Sequence, residues 1–331
     1  MLKITKRLSE SQEEEYIKMV RDCIRRRKSA ETKRFLHDFC KYIVDVLREI
    51  KKSGDMLLYN QVIDYLKNWN LCHSSLQIKL YKTKNIKMNH LVMAWIVMPQ
   101  ELMKKIHNIV KKVCAANLNN DDRWKICYDS FSKKNVNNWV IELVENKVCP
   151  YCNLSFIYSR TPKKTTAELD HFYNKSTYQL FALNFYNLIP VCHSCNHIKT
   201  DKDIEMISPY DKHAYDDLTI GYEFIDETNV DYIDLEDNIK IVFNGSTASK
   251  KHLGVMHIEE AYEKHKDYAE ELIQKIKIFN NRAARELIQD GIGISISTTE
   301  FEQVYFGKYR YKPEKRILGK MTHDFLKEHL K

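Results

Sequence analysis

Apolar residues recur at three- and four-residue steps through the first 145 positions. Phe35, Leu36, Phe39, Cys40, Ile43, Val44, Leu47 and Ile50 form one such series, the signature of a helix with a single buried face. Ser11 followed by Glu14 predicts a capping box opening an earlier helix. The polar break Lys51-Lys52-Ser53-Gly54-Asp55 precedes a predicted helix over 56–69, and two more are predicted near 91–116 and 121–146. No period repeats along the region, which excludes a solenoid. The stripes must bury against one another, so residues 1–145 are expected to form a helical bundle.

The pattern changes later in the chain. Ile207-Ser208-Pro209-Tyr210-Asp211 is a turn signal. Residues 218–225 and 238–243 alternate at period two, with Asn244-Gly245 closing the second, which predicts a small hairpin or sheet. A long helix is expected over 257–290, with Ile258, Ala261, Tyr262, His265, Tyr268, Leu272, Ile273 and Ile276 on one face and Gly291 and Gly293 at its end. Thr299 and Glu302 then predict a capping box on a last short helix. The fold class is mainly α with a small α+β centre. The expected division is 1–145, a helical N-terminal region; 146–215, a compact core; and 216–331, a β/helical extension.

Composition narrows the function. Only 8 Gly and 6 Pro in 331 residues fit helices better than sheets or loops, and the net charge of +8 suits an anionic partner as well as it suits a soluble basic protein. Arg21, Arg25, Arg26, Arg27 and Lys28 form either a solvated helix face or a nucleic-acid contact. Lys308, Arg310, Lys312, Lys315, Arg316, Lys320, Lys327 and Lys331 make the densest basic excess, a second candidate phosphate surface. No run of 18 apolar residues and no apolar leader is present, so a cytoplasmic protein with no membrane partner is expected. In a reducing compartment closely spaced cysteines read as metal ligands. Cys23, Cys40, Cys72, Cys114 and Cys127 follow no ligand spacing and read as small buried hydrophobes.

The chemistry is concentrated in residues 149–202. Cys149-Pro150-Tyr151-Cys152 and Cys192-His193-Ser194-Cys195 each put two sulfurs one tight turn apart. Two such knuckles complete a tetrahedral four-thiolate zinc site with no open position, so the Zn2+ is structural. His193 sits inside a knuckle, as a bystander or as an alternative ligand. Between the pairs, Ala167-Glu168-Leu169-Asp170-His171-Phe172 reads as a strand entering a turn at Asn174-Lys175-Ser176. Asp170 and His171 serve one site only where that strand ends or twists. Asn187 follows, and Asn196 and Lys199 lie three apart on an expected helix.

The pattern D-H … N-L-x-P-x-C-x-x-C-N-x-x-K resembles the HNH endonuclease family, whose fold is a two-stranded ribbon and a helix around one divalent metal (the ββα-metal motif). His171, Asn187 and Asn196 match its signature in the variant ending on Asn, and the cysteine pairs match its zinc-stapled branch. The run from Tyr186 to Lys202 and the late segment from Glu259 to Asn281 also resemble longer HNH proteins of bacterial anti-phage and restriction-type systems.

The resemblance implies a phosphodiester hydrolase. His171 is the general base, with an ordinary imidazole pKa suited to that task. Asn187 orients the imidazole or shapes the loop, Asp170 and Asn196 hold Mg2+ or Mn2+, and Lys199 contacts the phosphate. His197 offers an alternative to Asn196 as ligand. With one Asp and a final Asn the site carries little charge, so metal binding without substrate should be weak. DNA is the favoured substrate. RNA is the alternative, and a non-catalytic zinc-stapled adaptor is the reading from another class. Restraint of such an activity implies a regulatory partner, for example an ATPase subunit.

Overall fold

The computed structural model describes residues 2–24, 29–72, 86–118, 136–161, 164–201, 206–228, 235–292 and 296–330. The stretch 1–145 contributes helices α1 (Glu10–Ile24), α2 (Ser29–Lys52), α3 (Met56–Cys72), α4 (Ile86–Ile96), α5 (Gln100–Asn117) and α6 (Val136–Val144). Helix α2 carries the expected stripe, except that Val46 rather than Val44 turns fully inward. It packs against α3, α4 and α5, and each fully buried aliphatic or Phe side chain there contributes about 1.5–3 kcal/mol. The stripe ends where Gly54 takes a φ of +80°, a conformation that side chains with a Cβ resist. Asp55 Oδ1 then accepts from Leu58 N at 2.9 Å and caps α3.

The helix expected over 91–116 is two helices. Pro99 forbids helical geometry at the residue before it, so α4 ends at Ile96 and α5 begins behind Pro99. The helix expected over 121–146 is described only as α6. Arg25, Arg26, Arg27, Lys28, Cys127, Lys202, Gly293 and Lys331 lie outside the described residues, as does the side chain of Cys72. The first capping box is also displaced. Ser9 N donates to Gln12 Oε1 and Gln12 N to Ser9 Oγ, so the pair is Ser9 and Gln12, two residues before the one expected.

The centre contains a short ladder of β1 (Ser159–Thr161) and β2 (Lys164–Thr165). It is followed by β3 (Ala167–His171), which pairs antiparallel with β4 (Leu188–Cys192) in the register Ala167 to Cys192 through His171 to Leu188. Helix α7 (His193–Lys199) leaves β4 directly and packs back on both strands of that ribbon. Further on, β5 (Leu218–Phe224) and β6 (Ile239–Gly245) form the expected antiparallel pair, and Asp211 N donates to Ser208 O in the expected turn.

The long helix expected over 257–290 is interrupted. His257 sits in the left-handed region with a φ of +51°, between α8 (Thr247–Met256) and α9 (Ile258–Tyr262). A single 3-10 turn precedes α10 (Lys266–Asn280), and Asn281 leaves helical geometry before α11 (Arg282–Ile292). The Asn281 side chain accepts from Ala284 N at 3.1 Å, so it caps a new helix, as asparagine does where its side chain competes with the backbone. Ile258, Tyr262, Leu272, Ile273 and Ile276 are nevertheless buried as expected. The last capping box joins Ser297 to Glu300 and opens α12 (Thr298–Phe306), again two residues before the expected pair. Helix α13 (Gly319–His329) closes the chain against β5.

One cluster of buried apolar side chains runs from Ile4 to Leu326 and joins all three stretches. Side-chain hydrogen bonds tie the centre to the N-terminal helices. Tyr16 on α1 donates to Leu183 O, Trp95 on α4 donates to Leu180 O, and Asn184 Nδ2 donates to the carbonyls of Trp95 and Met98. Among the described residues, no helix is long and apolar enough to cross a membrane.

Candidate functional site

The four knuckle cysteines meet. Cys149, Cys152, Cys192 and Cys195 are buried, none is in a disulfide, and their sulfurs all lie within 4.8 Å of one another. Zinc–sulfur bonds of about 2.3 Å place tetrahedral sulfurs about 3.8 Å apart, and Cys152 Sγ lies 3.9 Å from Cys192 Sγ. Burial, then the neighbouring sulfurs, pushes the Cys149 thiol well up. Cys192 is held down because the other three thiols hydrogen-bond to it. Such a packed set of acids is relieved by a cation that lets all four ionise. The cluster can hold a metal such as zinc.

The two knuckles are built differently. The first is a hairpin turn in which Val148 pairs with Phe156 and Cys149 N donates to Ser155 O at 2.9 Å. The second is a strand-to-helix junction: Cys192 ends β4 as the N-cap of α7, and Cys195 lies in its first turn. The carbonyls of the first knuckle are all engaged. Cys149 O accepts from Asn153 N, Pro150 O from Leu2 N, Tyr151 O from His252 Nε2 and Cys152 O from Tyr262 Oη, at 2.8–3.0 Å. Buried carbonyls need such partners, and three of the four are drawn from residues distant in sequence, Leu2, His252 and Tyr262.

Asn153 completes the first turn at a φ of +57°, a region Asn tolerates better than most residues. Its Nδ2 donates to Pro313 O and Arg316 O, its Oδ1 accepts from Lys320 N, and its backbone O accepts from Leu318 N. The sequence pattern assigns this residue no role. Its position just after Cys-x-x-Cys was the one available signal.

Beside the cysteine cluster a cleft of about 430 Å³ opens where β3 ends against α7, lined by Glu168, Asp170, His171, Lys175, Asn196 and His197 among others. Asp170 and His171 both reach it because β3 terminates at His171. His171 is buried, and its Nε2 lies 3.0 Å from Ala182 O. The ring must donate there, so Nδ1 carries the lone pair. Burial, then the Lys175 cation, pushes His171 down to about 3, against the pull of the Ala182 hydrogen bond and with a smaller push from Lys199. The imidazole is therefore neutral across the physiological range, but it is a far weaker base than the ordinary value expected from sequence.

Asn187 lies below the cleft, fully buried. It accepts from Tyr173 N at 2.7 Å and donates to the carbonyls of Tyr173 and Phe181 at 3.0 Å. It therefore shapes the loop between β3 and β4 that brings Ala182 O to His171; of the two roles expected, loop shaping is the one its contacts describe. Asn174 fixes the same loop by accepting from Thr177 N and Ser176 Oγ.

Asp170 and Lys199 are brought together as a buried pair. Lys199 Nζ donates to Asp170 Oδ1 at 3.0 Å and to His171 O at 2.8 Å, and Tyr151 Oη donates to Asp170 Oδ2 at 2.7 Å. Burial, then the Asp170 charge, pushes the Tyr151 phenol well up, which keeps it a donor. Lys199 is thus turned inward, whereas the sequence reading placed it on a phosphate. Lys175 is exposed and is among the described residues that line the cleft.

Glu168 has no role in the sequence pattern but is engaged in the folded chain. It is two residues before Asp170 on the same strand face, and it accepts from His193 Nδ1 and Asn196 Nδ2, each at 2.6 Å. Burial opposes its ionisation, but those hydrogen bonds hold its carboxyl below the ordinary range. Because Asn196 gives its amide nitrogen to Glu168, its Oδ1 is the atom left to face elsewhere. His193 lies outside the four-sulfur set. The basic C-terminal segment is partly consumed internally: Arg310 pairs with Glu302, Lys320 with Asp324, and Arg316 donates to Phe306 O and Tyr268 Oη.

Comparison with protein-family models, with curated proteins and with solved structures finds no match to this chain.

Proposed function

We propose that the chain is a metal-dependent nuclease of the HNH type that hydrolyses phosphodiester bonds, with DNA as the first substrate to test. The observation that carries this reading is the single cleft lined by Asp170, His171 and Asn196, at the junction of an antiparallel ribbon and a short helix beside a buried four-cysteine cluster. The antiparallel ribbon and the helix that leaves it support a ββα-metal core within 146–215.

His171, neutral and with its lone pair on Nδ1, takes the proton of the attacking water. Burial keeps its pKa low, and an anionic phosphate beside it raises that value by favouring the imidazolium. Asn187 acts through the loop, by setting the Ala182 carbonyl that fixes the His171 tautomer. Asp170 and the Asn196 carbonyl oxygen supply the hard oxygen donors that Mg2+ or Mn2+ prefers. When bound, the ion neutralises phosphate charge and stabilises the leaving oxygen. Lys199 offsets the charge of Asp170, so affinity for the ion comes largely with the substrate. Lys175 takes the phosphate-contacting role. The wider resemblance supports a role in bacterial anti-phage defence, and the harm an unrestrained nuclease would do its host supports a regulatory partner such as an ATPase subunit.

The test is cleavage of duplex DNA, single-stranded DNA and RNA, each with Mg2+ and with EDTA. Magnesium-dependent cleavage that falls about 10²–10⁴-fold in His171→Ala is expected. RNA as the sole cleaved polymer would move the substrate class. Cleavage unaffected by His171→Ala would refute the reading, and salt-sensitive binding with no cleavage would leave the adaptor alternative.

A further inference from the structure

We infer that the rim of the cleft carries a second metal site, formed by Glu168, His193 and His197 and suited to a borderline transition ion such as Zn2+. His193 and His197 are four residues apart on α7, so both imidazoles leave one helix face. Their ring centroids are 4.0 Å apart. Glu168 approaches from β3, with its Oε1 2.6 Å from His193 Nδ1. One ligand atom from each of the three lies within 4.8 Å of the other two. The set shares no residue with the cysteine cluster or with the Asp170 and Asn196 pair, and it stands whether or not the nuclease reading does.

The chemistry of the donors selects the ion. Two imidazoles and one carboxylate suit zinc, nickel or cobalt, and they disfavour magnesium and calcium, which take oxygen. Zinc bonds of about 2.0–2.1 Å to nitrogen and oxygen require tetrahedral donors about 3.3 Å apart. The hydrogen bond between His193 and Glu168 must therefore open by under about 1 Å as the ion replaces the bridging proton. Both histidines are exposed, so they move without disturbing the core. Three protein donors leave a fourth position for water or for an anion in the cleft, which Glu168 and His197 line.

Occupancy at the rim also reaches Asn196. Glu168 holds the Asn196 amide nitrogen through its Oε2, so an ion drawing on Glu168 acts on the group that sets the orientation of that amide. The rim ion is thereby coupled to the hard-ion position across the cleft.

The test uses the untagged full-length chain, with zinc at the cysteines established by metal analysis, titrated with ZnCl2 by isothermal calorimetry. The wild-type chain is expected to take up one further equivalent, and His193→Gln/His197→Gln is expected to lose it while keeping the cysteine-bound zinc and the wild-type circular dichroism. Absence of a further equivalent in the wild type would overturn the inference, as would undiminished uptake by the double variant. Titration with Co2+ gives an independent readout. Ligand-field bands without sulfur-to-metal charge transfer, lost in Glu168→Gln, are expected; cobalt spectra dominated by sulfur charge transfer would place the ion at the cysteines and overturn the assignment.

Discussion

Replacing Lys199 by methionine separates a surface role for this residue from the buried one. Its side chain is 2% exposed, and its ammonium donates to Asp170 Oδ1 at 3.0 Å and to His171 O at 2.8 Å. Methionine keeps most of the apolar stem but leaves Asp170 with only the neutral donor Tyr151. Removing one partner of a buried ion pair costs about 3–5 kcal/mol. Asp170 lies on the cleft lining, where water reaches it, so the lower end, about 3 kcal/mol, is expected. At about 2.1 cal/mol/K of unfolding entropy per residue, a chain of 331 residues should melt about 4 °C lower by scanning calorimetry. Adding Asp170→Asn should recover part of the loss, because a neutral amide needs no counter-charge; a double-mutant cycle should show about 1–3 kcal/mol of coupling. A Lys199→Met chain that melts with the wild type and only binds nucleic acid more weakly would refute the buried-pair argument.

Cys149→Ser should release the cysteine-bound zinc and expose the centre to limited proteolysis, since a structural zinc of this kind contributes about 10–16 kcal/mol of local folding energy; metal analysis beside a protease time course reads both. Asn153→Ala removes three side-chain hydrogen bonds and puts a less tolerant residue at positive φ, so a loss of about 3 kcal/mol or more is expected in urea unfolding. Stability should also fall on acidification. His171 and His252 are each pushed down to about 3, chiefly by burial, against about 6.5 when unfolded. Below pH 6.5 the unfolded chain binds the extra protons, so each histidine removes about 1.4 kcal/mol per pH unit down to about pH 3, and their contribution is constant above 6.5. Unfolding midpoints at pH 7 and pH 5 measure this, and His252→Gln, which retains a donor for Tyr151 O, should roughly halve the slope.

Features that depend on neighbours within a few residues were legible from the amino-acid order alone. The stripe of α2, the alternation of β5 and β6, and the two cysteine pairs were legible because helix period, strand period and knuckle geometry are local constraints. Overlapping local signals are ambiguous. Ser9, Ser11, Ser297 and Thr299 all begin cap-like pairs, and the backbone uses the earlier pair at each helix. An Asn inside an apolar series was read as continuing a helix when it capped the next one.

The partners of the polar residues, by contrast, follow from how the chain packs. Nothing near Lys199 in sequence says that its ammonium meets an aspartate on β3, nor that Glu168 reaches two side chains of α7. The same holds for the carbonyls of the first knuckle, which take donors from Leu2, His252 and Tyr262. Those bonds follow from burial: once the long-range core closes, each buried charge and carbonyl must be satisfied by whatever group the packing brings to it.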